Sequence, residues 1–176
     1  MTVDELSRMA NRLRMDVVQE VHDAGDGHPG PCMSIAEIMS VLFFDELRLD
    51  PTQPRWPERD RFVLSKGHAC PILYAALARR GYFSLDELKG LRTIGSFLQG
   101  HPDMNKIPGV DTVSGSLGNG VAIGLGMAVG CRMQGIDNNV FVIVGDGEEQ
   151  EGIIWEAAMA AAKMKAGNLI VFADLN

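Results

Sequence analysis

Residues 141–176 read FVIVGDGEEQEGIIWEAAMAAAKMKAGNLIVFADLN, and this segment has the clearest secondary-structure pattern in the sequence. It contains an apolar strand pattern over 141–144, an apolar helix pattern over 152–164 and a second strand pattern over 169–173. A strand–helix–strand order of this kind is a βαβ unit. The sequence therefore predicts an α/β protein with a parallel sheet flanked by helices.

Asp146 lies just past the first of these strands, and Asn176 lies just past the second, thirty residues later. The carboxyl ends of parallel strands share one edge of the sheet, so we expect both side chains at that edge. Carboxylate and amide oxygens are hard ligands, and together with ligand phosphates they suit Mg²⁺. Gly145 and Gly147 would let the backbone approach a phosphate. Without the paired Asn176, Gly-Asp-Gly would indicate only a tight turn.

A dinucleotide-binding motif is the alternative that the glycines suggest. Gly118-Asn119-Gly120 and Gly124-Leu125-Gly126 begin like such a motif. Neither continues to a third glycine at the required spacing, and neither directly follows a strand, so the motif fails. We expect these glycines to allow close packing of a helix instead; they are Gly120, Gly124, Gly126 and Gly130.

The remaining elements follow from apolar periodicity and from turn residues. Helices are predicted at 3–23, 70–80, 85–92 and 120–134, a strand at Arg61–Leu64, and irregular chain at 50–60 and 94–119. Ser34 and Glu37 have the spacing of a capping box that would open a further helix. Lys66, after the strand, is equally consistent with an exposed side chain and with one that reaches a phosphate. The acidic run at 148–151 is typical of a solvated helix start.

The composition is that of an ordinary globular protein of 176 residues, with 46% hydrophobic residues. The net charge of −7 disfavours nucleic acid and anionic membranes as partners, although backbone N–H groups and a metal can still bind a phosphate. Three scattered cysteines form no metal or disulfide motif, and no signal peptide or membrane span is apparent. We therefore expect a cytoplasmic protein.

Five segments of the chain resemble segments of transketolases, in transketolase order. They are Gly27-His28-Pro29-Gly30, the run 59–69, Gly100-His101-Pro102, Gly115-Ser116-Leu117-Gly118 and the run 145–152. The spacing from Gly-Asp-Gly to Asn176 also matches the thiamine diphosphate signature. The resemblance covers nearly the whole chain and is closest to the separately encoded amino-terminal subunit of split transketolases.

The resemblance implies the thiamine-diphosphate-binding fold, with thiamine diphosphate and Mg²⁺ as cofactors. Asp146 and Asn176 would bind Mg²⁺ together with the diphosphate. Gly147 would touch the diphosphate, and His68 would hydrogen-bond one of its oxygens. The cofactor would be lined by Gly115, Ser116 and Leu117.

The same resemblance gives three further residues a role. His28 and His101 would face the sugar substrate and the reactive carbon of the cofactor, where imidazoles can exchange protons near neutral pH. Glu151 would lie at the interface with a partner subunit. His22, on the first helix, has no counterpart among the motifs and is interpreted as structural, and Cys70 as a buried thiol.

The implied activity is two-carbon ketol transfer between sugar phosphates, as in the pentose phosphate pathway. It would require a pyrimidine-binding, carboxyl-terminal subunit in a dimer or heterotetramer. Residues 1–176 are interpreted as a single, incomplete diphosphate-binding domain, because the family's later strands and a third, backbone ligand to Mg²⁺ have no counterpart. We therefore expect the isolated chain to be inactive, and its uncovered sheet edge and apolar face to favour association.

Two alternatives remain open from the sequence. One is a non-catalytic fragment that keeps the fold. The other is part of an enzyme similar to deoxyxylulose-phosphate synthases, although the segments Gly27-His28-Pro29-Gly30 and Ser65-Lys66-Gly67-His68 favour a transketolase.

Overall fold

A three-stranded parallel sheet forms the centre of the computed structural model, which describes residues 1–175. The strands are β1 (Arg61–Leu64), β2 (Val140–Gly145) and β3 (Leu169–Asp174), in that spatial order. The register pairs Leu64 with Ile143, and Gly145 with Asp174. The carboxyl ends of β2 and β3 therefore meet at one edge, and the parallel sheet predicted from the sequence is confirmed.

Six α-helices surround the sheet in the described part of the chain. They are α1 (Val3–Ala24), α2 (Pro29–Met33), α3 (Ala36–Val41), α4 (Cys70–Arg80), α5 (Asn119–Met133) and α6 (Gly152–Met164). A π-helical turn, Leu42–Glu46, continues α3, and 3₁₀ turns occupy Gly67–Ala69, Leu85–Gly90 and Gly147–Gln150.

Helix α1 has defined ends that the local sequence explains. Thr2 Oγ1 accepts a hydrogen bond from the Glu5 N–H at 3.3 Å, and the Glu5 carboxylate accepts one from the Thr2 N–H at 2.8 Å. This reciprocal capping box satisfies two N–H groups that the helix itself cannot. Gly25 ends the helix in the left-handed conformation, with φ of +64°, where glycine carries no steric penalty.

The core lies on both faces of the sheet because side chains alternate along each strand. Phe62 and Leu64 of β1 face one cluster, which they share with α1, α3 and α4. Val63 and the β2 valines face a second cluster, formed with α5 and α6. Helices thus cover both faces, as a parallel sheet requires, and the predicted α/β class is confirmed.

Two glycines of α5 allow close approach, and two do not. A Cβ on Gly120 would lie 2.3 Å from Ser65 Oγ, and one on Gly124 would lie 2.6 Å from a Val142 methyl group. A Cβ on Gly126 or Gly130 would meet no atom within 4 Å. The packing prediction is therefore confirmed for the first pair and wrong for the second.

The capping box predicted at Ser34 and Glu37 is wrong. Helix α3 begins one residue later than a Ser34 cap allows, and its N-cap is Ile35, which makes no side-chain cap. Ser34 instead ends α2, and its hydroxyl donates to the Asp174 carboxylate at 2.6 Å. The Ser34 hydroxyl thus binds a residue distant in the sequence, Asp174, and does not cap α3 as the Ser34–Glu37 spacing predicted.

The segment predicted as a helix at 85–92 is a 3₁₀ turn, Leu85–Gly90. Ser84 caps this turn, since its hydroxyl accepts a hydrogen bond from the Asp86 N–H at 3.3 Å. No helix within residues 1–175 has the length and apolar character to cross a membrane.

An apolar surface lies open on α6 and β3. Trp155 and Met159 of α6 are 57% and 68% exposed, and Val171 of β3 is 42% exposed. Large side chains of this kind are enriched at the centres of protein interfaces. The uncovered apolar face expected from the sequence is therefore present in the described residues.

Candidate functional site

The candidate site lies at the carboxyl edge of the sheet, where the loops after the three strands meet. Asp146 lies one residue beyond β2, and its N–H donates to the Asp174 carbonyl at 3.1 Å. This bond fixes the start of the Gly-Asp-Gly turn against the end of β3. Asn176, the second predicted metal ligand, lies outside the described residues.

Asp146 has the properties of a free oxygen ligand. Its side chain is exposed, and within residues 1–175 it forms no hydrogen bond or ion pair. A Cβ on the neighbouring Gly147 would meet no atom within 4 Å, so the space beside that glycine is open. The same part of the chain contains no group of three His, Cys, Asp or Glu residues that could hold a metal. Asp146 can therefore contribute one hard ligand to a site that ligand oxygens and other groups must complete.

Glu148 ties three loops together at this edge. It is buried, and its carboxylate accepts hydrogen bonds from the Ser65 hydroxyl, from the Gly118 N–H at 2.6 Å and from the Gly145 N–H at 3.2 Å. The expectation of a solvated helix start is wrong for this residue. Because an ionised carboxylate has several acceptor positions, Glu148 fixes these loops relative to each other.

Lys66 forms a buried ion pair with Asp174. The side chain is 2% exposed, so the exposed position considered from the sequence is wrong. Its ammonium group donates to the Asp174 carboxylate and to the Pro31 carbonyl, the latter at 2.8 Å. The Ser34 hydroxyl binds the same carboxylate. A buried charge needs such partners, and here they join α2, the loop after β1 and the end of β3.

Three histidines converge on the same region. The rings of His28 and His68 are in edge-to-face contact, with centroids 5.4 Å apart. The His101 ring packs against Gly115, where a Cβ would lie 3.3 Å from it. The three histidines belong to separate sequence motifs, and the fold brings these motifs together.

Burial and neighbouring positive charges disfavour the protonation of His68 and His101. Burial lowers the pKa of His68 below its ordinary value, and the positive charges of His28 and Lys66 lower it further, although Glu148 opposes the effect. Burial also lowers the pKa of His101, with Arg92 and His28 acting in the same direction. At neutral pH the neutral forms of His68 and His101 are therefore favoured, and each can donate from one ring nitrogen and accept at the other.

Two glycines make room for this convergence. A Cβ on Gly67 would lie 2.5 Å from Ser114 Oγ and 3.0 Å from the Gly115 nitrogen. Gly115 has φ of +149°, a conformation that other residues rarely adopt. The loop 114–118 can therefore lie directly against the turn that carries His68.

The loop 115–117 presents exposed backbone to solvent, as a ligand-lining segment requires. Gly115, Ser116 and Leu117 are all exposed, and Gly115 and Ser116 border a cavity of about 190 Å³. Glu151, the remaining predicted residue, is exposed at the N-cap of α6. It lies close to Gly118, where a Cβ would be 2.7 Å from Glu151 Cβ. Glu151 thus lies between two features: the loop 115–118 on one side and the exposed apolar face of α6 on the other.

Sequence reasoning missed Asp174, Ser34 and Glu148 as members of this site. Asp174 and Lys66 each lie at or just past the end of an apolar strand run. This shared position at the strand ends was the one sequence feature that could have predicted their contact. It was insufficient because β2 lies between β1 and β3. The lysine side chain packs beside Gly145, the last residue of β2; a Cβ there would lie 3.5 Å from Lys66 Cδ, an ordinary van der Waals distance.

The arrangement suits an anionic cofactor and proton exchange. Glycine-rich turns expose backbone N–H groups that can donate to phosphate oxygens, Asp146 can hold a cation, and the imidazoles can move protons near neutral pH. Fold and site together define an α/β cofactor-binding domain with its site at the carboxyl edge of a parallel sheet.

Comparison with known proteins identifies the family. Residues 5–176 match the family model described as "Transketolase, thiamine diphosphate binding domain". The chain therefore belongs to the transketolase family, as its thiamine diphosphate-binding domain.

Curated relatives and a solved structure agree with this assignment. The chain is 45% identical to a 6-deoxy-6-sulfo-D-fructose transketolase subunit of Clostridium sp. (strain MSTE9), with 98% of the chain and 62% of the relative covered. It is 39% identical to an apulose-4-phosphate transketolase subunit of Phocaeicola vulgatus, covering 100% and 62%. The transketolase structure from Campylobacter jejuni superimposes with a TM-score of 0.95 at 38% identity, covering 100% of the chain and 29% of that structure. The chain thus spans less than two thirds of the length of each of these proteins.

Proposed function

We propose that this chain is the diphosphate-binding part of a transketolase that uses thiamine diphosphate and Mg²⁺ to transfer a two-carbon ketol group between sugar phosphates. The observation that carries the proposal is the convergence of His28, His68 and His101 with Gly115 at the sheet edge that presents Asp146. The family assignment supports the cofactor, and the site supplies the residues that it needs.

The residues at the diphosphate end would bind and orient the cofactor. Asp146 would hold Mg²⁺ together with Asn176, and the open space beside Gly147 would accept the diphosphate. His68, favoured in its neutral form, would donate one hydrogen bond to a diphosphate oxygen. Gly115, Ser116 and Leu117 would line the cofactor with their exposed backbone.

His28 and His101 would act on the sugar. When bound, thiamine diphosphate supplies a carbon nucleophile and an electron sink for breaking a carbon–carbon bond. The reaction also moves protons at hydroxyl and carbonyl oxygens of the substrate. His101 would accept or return such a proton because its lowered pKa leaves a ring nitrogen free to accept, and His28 would share this role.

A partner would complete the site. Two relatives are named as subunits, which supports a second subunit here that carries the pyrimidine-binding part. Glu151 and the exposed Trp155 and Met159 of α6 are the proposed contact region. The assembly would be a dimer or a heterotetramer, and residues 1–176 alone would have little activity. The names of these two relatives support a sugar as the substrate, although each name specifies a different sugar.

Within residues 1–175 the three cysteines form no disulfide bond, which is typical of proteins in a reducing compartment. Cys32, Cys70 and Cys131 are all buried and free. Burial raises the pKa of the Cys32 and Cys70 thiols to about 12, which keeps both in the unreactive thiol form. We therefore place the protein in the cytoplasm.

Calorimetry with thiamine diphosphate and Mg²⁺, with and without the matching pyrimidine-binding subunit, tests the proposal. We expect weak binding to the chain alone and tight binding to the complex. Asp146→Ala should abolish the metal-dependent part, because it removes the exposed carboxylate proposed to bind Mg²⁺. Asp137→Ala is the matched control, since Asp137 is exposed before the start of β2, at the opposite end of the sheet. Unchanged affinity in Asp146→Ala, or full ketol transfer by the chain alone, would contradict the proposal.

A further inference from the structure

A second cleft lies at the amino-terminal end of β1, at the opposite end of the strand from the candidate site. It has a volume of about 490 Å³. Its walls come from the turn before β1, from the start of β1 and from the loop 104–111. Four cationic side chains line it, and we refer to it as the basic cleft; they are Arg55, Arg59, Arg61 and Lys106.

The basic cleft carries an excess of positive charge in a chain of net charge −7. One carboxylate, Asp111, also lines it. That carboxylate is already engaged: the Arg59 guanidinium donates to its two oxygens at 2.9 and 2.6 Å, and the Phe62 N–H donates at 2.9 Å. Asp111 therefore neutralises about one of the four cations and has little capacity for the others.

The other three cations have weaker contacts with carboxylates. Arg61 donates to the Arg59 and Pro57 carbonyls, both at 2.7 Å, and carbonyls orient a guanidinium but do not cancel its charge. Its distance to Asp111 is 3.7 Å. Lys106 has only a long contact to Asp103 at 3.9 Å. Arg55 forms no ion pair within residues 1–175.

Arg59 has a donor that is not used. Its side chain is 7% exposed, and its Nε–H is buried and finds no acceptor in the described part of the chain. Buried donors are almost always satisfied. The guanidinium at this wall of the cleft is therefore held by Asp111 and keeps one unsatisfied, buried Nε–H within residues 1–175.

The cleft also has apolar surface beside the cations. Met104, Ile107 and Pro108 line the loop side. A ligand with a carbon skeleton can pack there while its anionic group faces the arginines, and small-molecule sites commonly combine the two features. We propose that the basic cleft binds the phosphate group of a small phosphorylated metabolite, at a site separate from the cofactor site. Arginine forks match phosphate geometry, and Lys106 adds a point charge.

Amide NMR of residues 1–176, titrated with inorganic phosphate at constant ionic strength, tests the proposal. We expect saturable shifts at the amides of Ile107, Gly109 and Val110. Shifts at 115–117 would report the separate diphosphate site, so this result does not depend on the proposed function. Arg55→Ala/Lys106→Ala should weaken the binding at the cleft by about tenfold or more. Both side chains are exposed, so the fold should be retained.

The matched control removes two cations elsewhere. Arg8→Ala/Lys163→Ala makes the same change in net charge at exposed positions on α1 and α6, and it should leave the affinity within about twofold. Lys106→Glu should abolish the shifts at 107–110. Equal losses in the control and the cleft variant would show that net charge alone attracts phosphate, and linear shifts without saturation would show that the cleft is not a site. Either result overturns the proposal.

Discussion

Lys66 reaches across the end of β2 to pair with Asp174 at the end of β3. The two residues are 108 apart in the chain, and both are buried. Gly145, at the end of β2, packs beside the lysine stem, and a Cβ there would lie 3.5 Å from Lys66 Cδ. The pair connects the turn that carries His68 to the strand that precedes Asn176, so it couples both ends of the proposed diphosphate site.

Lys66→Met should destabilise the protein by about 3–5 kcal/mol, because breaking a buried ion pair leaves a carboxylate without its cation. Urea unfolding measures this. Lys66→Met/Asp174→Asn should recover part of the loss, since the remaining amide carries no charge. If the double variant is as unstable as Lys66→Met, the loss comes from packing and not from the negative charge of Asp174.

Because Glu20 is buried, we expect the stability of the protein to depend on pH in an unusual way. It is buried on α1, its oxygens have no hydrogen-bond partner within residues 1–175, and burial raises its pKa to about 9, with Asp16 adding to the effect. The folded state thus holds a proton that the unfolded state releases near the ordinary value of 4.5. This contribution to stability is fully present below pH 4.5 and is lost as the pH rises towards 9, at about 1.4 kcal/mol per pH unit.

Glu20→Gln should remove this slope. The free energy of unfolding, measured in urea at pH 5, 7 and 9, should fall with pH more steeply in the original protein than in the variant. The difference in unfolding free energy between the original protein and the variant separates the effect of Glu20 from that of the other acidic groups. Parallel pH profiles would show that Glu20 is ionised in the folded state at neutral pH.

His28 should control the titration of its neighbours. Its positive charge contributes to the lowered pKa of both His68 and His101. His28→Asn removes that charge and should raise both pKa values, although burial will keep them below the ordinary value. NMR titration of the ring protons measures them directly. Unchanged titration of His68 would contradict the proximity of the two rings.

Two glycines of α5 form a matched pair. Gly120→Ala should destabilise the protein by about 1–3 kcal/mol, because the new Cβ would lie 2.8 Å from Ser65 Cα, which is backbone and cannot move aside. Gly126→Ala meets no atom within 4 Å and should stabilise the helix by up to about 1 kcal/mol. Thermal unfolding of both variants gives the comparison. Similar effects at both positions would show that α5 does not pack on the turn after β1.

The sequence was informative where a pattern is local. Helix α6 begins and ends where the apolar pattern over 152–164 placed it, and β1 coincides with the predicted Arg61–Leu64. Capping was less predictable. The Ser34 hydroxyl had two possible partners, a nearby backbone group and the distant Asp174, and the choice depends on a residue 140 positions away.

The parallel α/β fold, the family and the segments of the candidate site could be inferred from the sequence alone, because periodicity, turn chemistry and the Gly-Asp-Gly to Asn176 spacing are properties of the chain. The burial and the contacts of individual groups depend on the tertiary structure. It brought His28 to His68, buried Glu148 beneath three loops and paired Lys66 with Asp174. These contacts depend on the order of strands in the sheet and on the space that missing side chains leave, and neither is encoded in any single segment.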